Sequence, residues 1–443
     1  MPIDARSAAF LTLRDTDLGR FPDEALEEHS ARLDARERGL AHSLVLGVLR
    51  HRGRLDYALG QFLARPDRPL PEEVRDILRL GAFQLLALDR VPPSAAVNES
   101  VNLARRYGPG WSASLVNAVL RALARADRRP DPEEAGLPLV QTLALSQSYP
   151  EWIVERLLDR FGVEETRQVL AAGNEIAPLT LAVNTRRTTR EALAERLAGR
   201  AERVEPTPYA PDGLRVFGAR GPVHLLPGFA EGHFLVQDEA SQLAALLARL
   251  DAGGLALDAC AGLGGKSLRL ALAMDGWVTA MDLDAGRLAR LGPEALRLGA
   301  DRLVVLRADL LAAPFEDASF GAVLVDAPCS NLGVIRRRPD VKWLKSALDP
   351  ARQAKAQLGL LNAAARLVAP GGRLVYAVCT FTREETMGVV EALLARHPEM
   401  ALASANEALP SSAHPLVRPD GLFEAWPHRH GTDGFFAALF RRA

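Results

Sequence analysis

The first 128 positions place apolar residues three and four apart, as in Leu40, Leu44, Val45, Val48 and Leu49 and again in Val74, Ile77, Leu78, Leu80 and Leu85. That period belongs to helices with one buried stripe, and it predicts an all-helical bundle. Pro71-Glu72-Glu73 and the stretch from Ser94 to Glu99 mark helix starts, while Arg50, Arg52, Arg54, Arg105 and Arg106 punctuate the polar faces. The segment 127–140, DRRPDPEEAGLPLV, is rich in proline and charge and reads as a linker. From Tyr149-Pro150-Glu151-Trp152 to about Ala230 helical spacing gives way to short apolar runs such as Leu179 to Val183 and Leu214 to Phe217. Residues 129–236 are therefore expected to form the linker and a small α+β insertion domain. From Gln237 to Ala443 buried strands and helices alternate. Candidate strands are Gly254 to Asp258, Trp277 to Asp282, Leu303 to Arg307, Phe320 to Val325 and Gly372 to Val378, with helices at Lys266 to Ala273, Ala285 to Leu298 and Arg352 to Val368. The pattern predicts a parallel, doubly wound, Rossmann-like α/β sheet, in which ligands sit outside the carboxyl ends of the strands.

Composition narrows the setting. A chain of 443 residues exceeds one ordinary core, so two or three domains are expected. With 48% apolar and 25% charged residues, extended disorder and fibrous folds are excluded. No run of about 18 uncharged apolar residues occurs, and acids stand in the N-terminal stretch where a signal peptide needs basic and then apolar residues. A cytoplasmic location is expected. Cys260, Cys329 and Cys379 are too few and too scattered for a disulfide framework or a four-thiolate zinc site, so free thiols and no metal are expected. Net charge is −1, so a nucleic-acid partner needs a local basic patch. Only four of the 54 basic residues are lysines, Lys266, Lys342, Lys345 and Lys355, which favours positions where a compact ammonium does what a planar guanidinium cannot.

The first strand of the last region runs into Asp258-Ala259-Cys260-Ala261-Gly262-Leu263-Gly264-Gly265-Lys266-Ser267 and then a helix. Glycines there let the backbone approach a ligand. A phosphate P-loop is excluded because Cys260 stands where its first glycine belongs, and a dinucleotide turn because Ser267 replaces its third. S-adenosylmethionine (SAM) remains. Asp282 ends the next strand, where a ribose hydroxyl pair needs an acceptor, and Asp309 ends the one after, where an acid can accept from the adenine amino group.

Two further strand ends carry the other cysteines, in Val325-Asp326-Ala327-Pro328-Cys329-Ser330 and Tyr376-Ala377-Val378-Cys379-Thr380. Cysteine at such positions suits pyrimidine chemistry. C5 of cytosine is a poor nucleophile, and a thiolate added at C6 makes it enamine-like and able to take a methyl group. Asp326 is placed to favour addition from near N3 or the 4-amino group, and Lys266 to orient that carboxylate and to favour a thiolate. Spacing does not decide which cysteine attacks. Arg336, Arg337, Arg338, Lys342 and Lys345, beside Trp343, form the densest basic segment and are expected to hold RNA phosphates around an unstacked target base.

The strings RERGLAHSLVLGVLRHRGRLDYAL, ILRLGAFQLLALDRVPPSAAVNESVNLARR and ASLVNAVLRAL resemble the NusB-type RNA-binding helical domain over residues 6 to about 125. The cysteine and glycine motifs resemble the RNA 5-methylcytosine methyltransferases. Together with Gln237-Asp238-Glu239-Ala240-Ser241 and the ending Asp433-Gly434-Phe435-Phe436, the whole chain resembles the bacterial 16S rRNA cytosine-C5 methyltransferase family, RsmB/Sun/Fmu. The resemblance implies Cys379 as nucleophile and Cys329 as the thiol that helps release methylated RNA. It also implies Cys260, Ala261, Gly262, Leu263, Gly264, Gly265 and Lys266 around SAM with Asp282, Asp309 and Asp326. The implied partner is RNA, 16S rRNA or a small-subunit assembly intermediate, without membrane, and the chain is expected as a monomer. Several positions depart from the family pattern: Gly262, Leu263 and Ser267 stand for Ala, Pro and Thr, Asn331-Leu332 for Gly-Thr, and Thr386 for Asn. Loss of the proline loosens a preset turn. Two other readings remain: an amino-group methyltransferase, which wants a Pro-Pro-aromatic strand end where Ala-Pro-Cys stands, and a non-catalytic antitermination-like RNA-binding factor with a degenerate methyltransferase domain.

Overall fold

Short polar side chains and prolines set the helix boundaries of the first region. In the computed structural model, which describes residues 3–250 and 253–443, α1 (Ala5–Asp17) starts where the Asp4 carboxylate accepts from the Ser7 N–H. α2 (Pro22–Ser30) starts on a proline, and α3 (Ala35–Gly60) starts where Asp34 accepts from the Glu37 N–H. α4 (Glu72–Ala87), α5 (Pro93–Tyr107) and α6 (Ser112–Arg125) complete the expected bundle. Its core contains Leu44, Val45, Val48, Ile77, Leu78, Leu80, Val116 and Leu120. α7 (Leu139–Ser146) and α8 (Glu151–Asn174) follow.

The chain divides into two compact units, one reaching Glu175 and including Arg338–Ala347, the other made of Ile176–Arg337 and Leu348–Ala443. The stretch sequence patterning gave to one insertion is thus shared: α7 and α8 lie in the first unit and the strands after Ile176 in the second. There β1 (Leu179–Val183), β2 (Arg203–Pro206), β3 (Gly213–Phe217) and β4 (Phe234–Val236) form an antiparallel sheet in the order β2-β3-β1-β4, packed on α9 (Arg190–Ala198) through Leu181, Leu193, Leu197 and Phe234.

α10 (Glu239–Leu246) leads into the large sheet, β5 (Leu255–Asp258), β6 (Trp277–Asp282), β7 (Leu303–Arg307), β8 (Phe320–Asp326), β9 (Val368–Val378), β10 (Met400–Ala403), β11 (Phe423–Ala425) and β12 (Phe435–Arg442). Its order is β10-β12-β9-β8-β5-β6-β7, with β11 also paired to β12. β5 to β9 are parallel, as expected, and the chain reverses its direction of winding between β5 and β8. The sheet is nevertheless mixed, because β12 runs antiparallel between β9 and β10. β12 is buried from Phe435 to Phe440 and therefore lacks the alternation that marks a half-buried strand. α11 (Gly265–Ala273) and α12 (Ala285–Leu298) follow β5 and β6.

Candidate active site

Asp258 ends β5 in a fully buried position, where its Oδ2 accepts from Ser267 Oγ at 2.6 Å. Burial pushes its carboxyl up to about 6, opposed by the Ser267 hydrogen bond. Serine thus keeps the hydroxyl that the usual threonine carries. Gly264 turns the chain at φ +82 into α11, which begins with Gly265 and Lys266, and a Cβ on Gly264 would collide with the Leu291 side chain. The turn is tied to the neighbouring strand: Ala261 N–H donates to Met281 O at 2.9 Å and Gly262 N–H to Asp282 Oδ2 at 2.8 Å. Asp309 accepts from the Leu311 N–H.

Because β5, β6 and β7 are consecutive in the sheet, Asp258, Asp282 and Asp309 stand on one edge. Burial first, then the charges of Asp258, Asp326, Asp282 and Asp309, push the Cys260 thiol far up, which gathers all four acids around one residue and keeps that thiol protonated. On the three loops of this edge Leu263, Leu283 and Leu311 are 58%, 62% and 62% exposed. Carboxylates with spare lone pairs beside exposed apolar side chains fit an adenosine, which presents hydroxyl and amino donors on a flat apolar ring. The chemistry of these residues fits SAM: Asp282 and Asp309 could accept from an adenosine's donors, and the 260–266 turn could approach an amino-acid tail.

Parallel pairing of β8 with β9, Asp326 beside Ala377, brings the two remaining cysteine loops together. The sulfurs of Cys329 and Cys379 lie 3.4 Å apart, with Cys329 buried and Cys379 half-buried. Asn331 Oδ1 lies 3.0 Å from Cys379 Sγ and 3.4 Å from Cys329 Sγ. The hydrogen bond with Cys379, then burial, push the Cys329 thiol well up. Lys266 Nζ donates to Asp326 Oδ2 at 2.6 Å and sits 5.0 Å from the Phe435 ring centroid. Burial alone would lower the Lys266 pKa, but the Asp326 carboxylate outweighs it and the amine ends above its ordinary value, a charged lysine.

Sequence reasoning missed the group that joins the two loops. Glu385, fully buried, accepts from Ser330 N–H at 2.8 Å, Ser330 Oγ at 2.5 Å, Thr382 Oγ1 at 2.9 Å, Thr380 Oγ1 at 3.2 Å and Gln357 Nε2 at 3.1 Å. Tyr376 Oη donates to Glu385 O at 2.6 Å. The available signal was the set of hydroxyls at both strand ends, Ser330, Thr380 and Thr382, which need a common acceptor once buried. Gly333 adds a backbone tie, donating to Cys379 O and accepting from Gly434 N–H, and a Cβ there would collide with Gly434 O.

The basic segment does not assemble as expected. Arg336, buried, pairs with Asp433 at 2.5 Å and Asp238 at 3.2 Å, and Arg337 with the same two acids at 2.8 and 3.1 Å. Arg338 pairs with Asp340 and lies over Phe21. Lys342 is fully buried, donating to Arg50 O at 2.7 Å and Asn174 Oδ1 at 3.0 Å. Trp343 Nε1–H donates to Leu49 O at 2.6 Å, and Lys345 is half-buried. These contacts take Arg336, Arg337 and Lys342 out of a phosphate-binding surface. A run of like charges reads as a patch in sequence only because its partners, Asp238, Asp433 and the helix carbonyls, lie far away along the chain.

A sheet wound outward from a β5/β8 crossing, with acids and a glycine turn at that crossing, is the scaffold of the SAM-dependent methyltransferases, and the second unit is one of them. Residues 245–441 match the family 16S rRNA methyltransferase RsmB/F, residues 3–125 the NusB family, and residues 149–224 the ferredoxin-like domain of RsmF/B-like methyltransferases. The probable ribosomal RNA small subunit methyltransferase B of Bacillus subtilis (strain 168) is 36% identical over 93% of this chain and 92% of its own length. The chain belongs to this RsmB/F family. The crystal structure of PH0851 aligns with a TM-score of 0.81 at 25% identity, covering 100% of this chain and 99% of that one. NSun6 from Pyrococcus horikoshii with SFG shares the fold, with a TM-score of 0.58 at 21% identity over 67% of this chain and 99% of its own. Among the described residues no helix is long and apolar enough to cross a membrane.

Proposed function

We propose that this protein methylates C5 of a cytosine in 16S rRNA through a covalent adduct between Cys379 and C6. The observation that carries the reading is the thiol pair. Two sulfurs 3.4 Å apart share one edge of the site, one of them buried with its thiol pushed well up and the other half-buried. The half-buried sulfur suits attack on a ring. Cys379 as thiolate adds at C6 and pushes the ring electrons to C5, with the Lys266–Asp326 pair, 2.6 Å apart, positioned to steady charge at N3 and the 4-amino group. SAM supplies an electrophilic methyl on a sulfonium sulfur. Once C5 carries the methyl, loss of its proton to a base expels the Cys379 thiolate and restores the ring, and Cys329 is the reserve of a proton or thiolate for that release. Small-subunit rRNA as substrate is supported by the family, by the name of the Bacillus relative and by the NusB-type unit.

The test is trapping on RNA containing 5-fluorocytidine, whose fluorine cannot leave as the C5 proton does. Wild type and Cys329→Ala are expected to form an adduct stable to denaturant in the presence of SAM, and Cys379→Ala none. An adduct with Cys379→Ala and none with Cys329→Ala reverses the roles. No adduct with either single variant or with wild type removes the covalent mechanism.

A further inference from the structure

We infer that Asn331 is a positioning residue for the thiol pair, presenting its amide oxygen to thiols and its amide NH2 to a thiolate. The inference deepens the proposed mechanism and rests on it. Asn331 follows Pro-Cys-Ser and holds φ +61 and ψ 20, the left-handed region that asparagine tolerates best among residues with a side chain. Glycine takes that conformation without strain, so an asparagine there carries a small backbone cost. The asparagine side chain ends beside both sulfurs, its amide oxygen 3.0 Å from Cys379 and 3.4 Å from Cys329.

An amide is the group the thiol chemistry calls for. A carboxylate accepts only and would oppose ionisation of Cys379; an ammonium donates only and would oppose the thiol. The amide carries an acceptor and two donors on one plane, exchanged by a half-turn about its terminal bond. With both cysteines protonated the oxygen accepts from S–H. When Cys379 ionises, that hydrogen bond has no proton left, and the turned amide donates N–H to the sulfur instead, while the sulfur keeps its place. One side chain thus offers the thiol pair an acceptor and, once turned, a donor.

The test uses the full-length chain. Alkylation of Cys379 by iodoacetamide, located by peptide mass, is followed from pH 6 to 10 without RNA or SAM, and methyl transfer to rRNA is followed in parallel at pH 7.5 and 9. Asn331→Gly keeps the backbone conformation and removes both donor and acceptor. It is expected to raise the alkylation midpoint by about one pH unit and to lower kcat about tenfold at pH 7.5, with KM for SAM within twofold and much of the loss recovered at pH 9. Asn331→Asp, of the same shape but acceptor-only and charged, is expected to raise the midpoint further. An Asn331→Gly profile that coincides with wild type in alkylation and in kcat overturns the inference. Should wild type fail to form 5-methylcytosine, the mechanism falls while the alkylation profile still judges Asn331, so the two failures are told apart.

Discussion

Two of the four lysines, Lys266 and Lys342, are buried to a similar depth, one in each unit, and the fold treats them in opposite ways. Lys266 meets the Asp326 carboxylate at 2.6 Å, and its pKa ends above the ordinary value despite burial. Lys342 meets a carbonyl, an amide oxygen and the face of Tyr149 at 4.2 Å, with Arg50 nearby, and burial drives its pKa well below the ordinary value. Depth is shared and partner charge is not. The first is held by a carboxylate, the second pins its segment by two hydrogen bonds to uncharged oxygens. Sequence scarcity of lysine marked both as special and said nothing of which is which.

The comparison breaks most sharply at Lys266. If the proposed mechanism holds, Lys266→Met is expected to lower methyl transfer to rRNA by about a thousandfold, since the charged partner of Asp326 is lost. Stability should drop by only about 1 kcal/mol, because Asp326 is a third exposed and rehydrates. Urea unfolding and labelled-methyl transfer on the same preparation check both halves. At Lys342 the pattern should invert. Lys342→Glu places a carboxylate against a carbonyl and is expected to destabilise the first unit by about 3 kcal/mol. Lys342→Met should stay within about 1 kcal/mol of wild type and keep its activity. Equal loss of activity in Lys266→Met and Lys342→Met would erase the distinction.

The smallest effect is on pH dependence. Because burial lowers the Lys342 pKa in the folded chain, the unfolded chain binds more protons between that lowered value and the ordinary one. Stability therefore rises as pH climbs through that interval toward about 10.5, by up to ~1.4 kcal/mol per unit for one proton. Hydrogen exchange in α3 should show this slope in wild type and a flatter one in Lys342→Met. A slope of the opposite sign would mean that Lys342 is charged in place.

Much of the second unit's fold was legible because the candidate residues stand at the ends of short apolar strands. β5 to β8, Asp258, Asp282, Asp309 and both cysteines followed from local pattern, and parallel pairing did the rest. What was not legible depended on partners remote in sequence. Arg336 and Arg337 look like a phosphate patch until Asp238 and Asp433 are folded against them. Glu385 carries no local signal, because the five donors that converge on it come from Ser330, Gln357, Thr380 and Thr382 once folded. β12 escaped because a strand buried on both faces has no alternation to read, and Asn331 because a left-handed backbone is invisible in a string of letters.

The segment Arg338–Ala347 belongs by its contacts to the helical unit although it is encoded between β8 and β9. A fragment cut after Glu175 would therefore lack the indole that caps the Leu49 carbonyl and the amine that caps Arg50, leaving an unfilled slot along α3. Such a piece is the wrong object with which to measure what the helical half does, because the segment that completes its packing along α3 is encoded more than 160 residues further on.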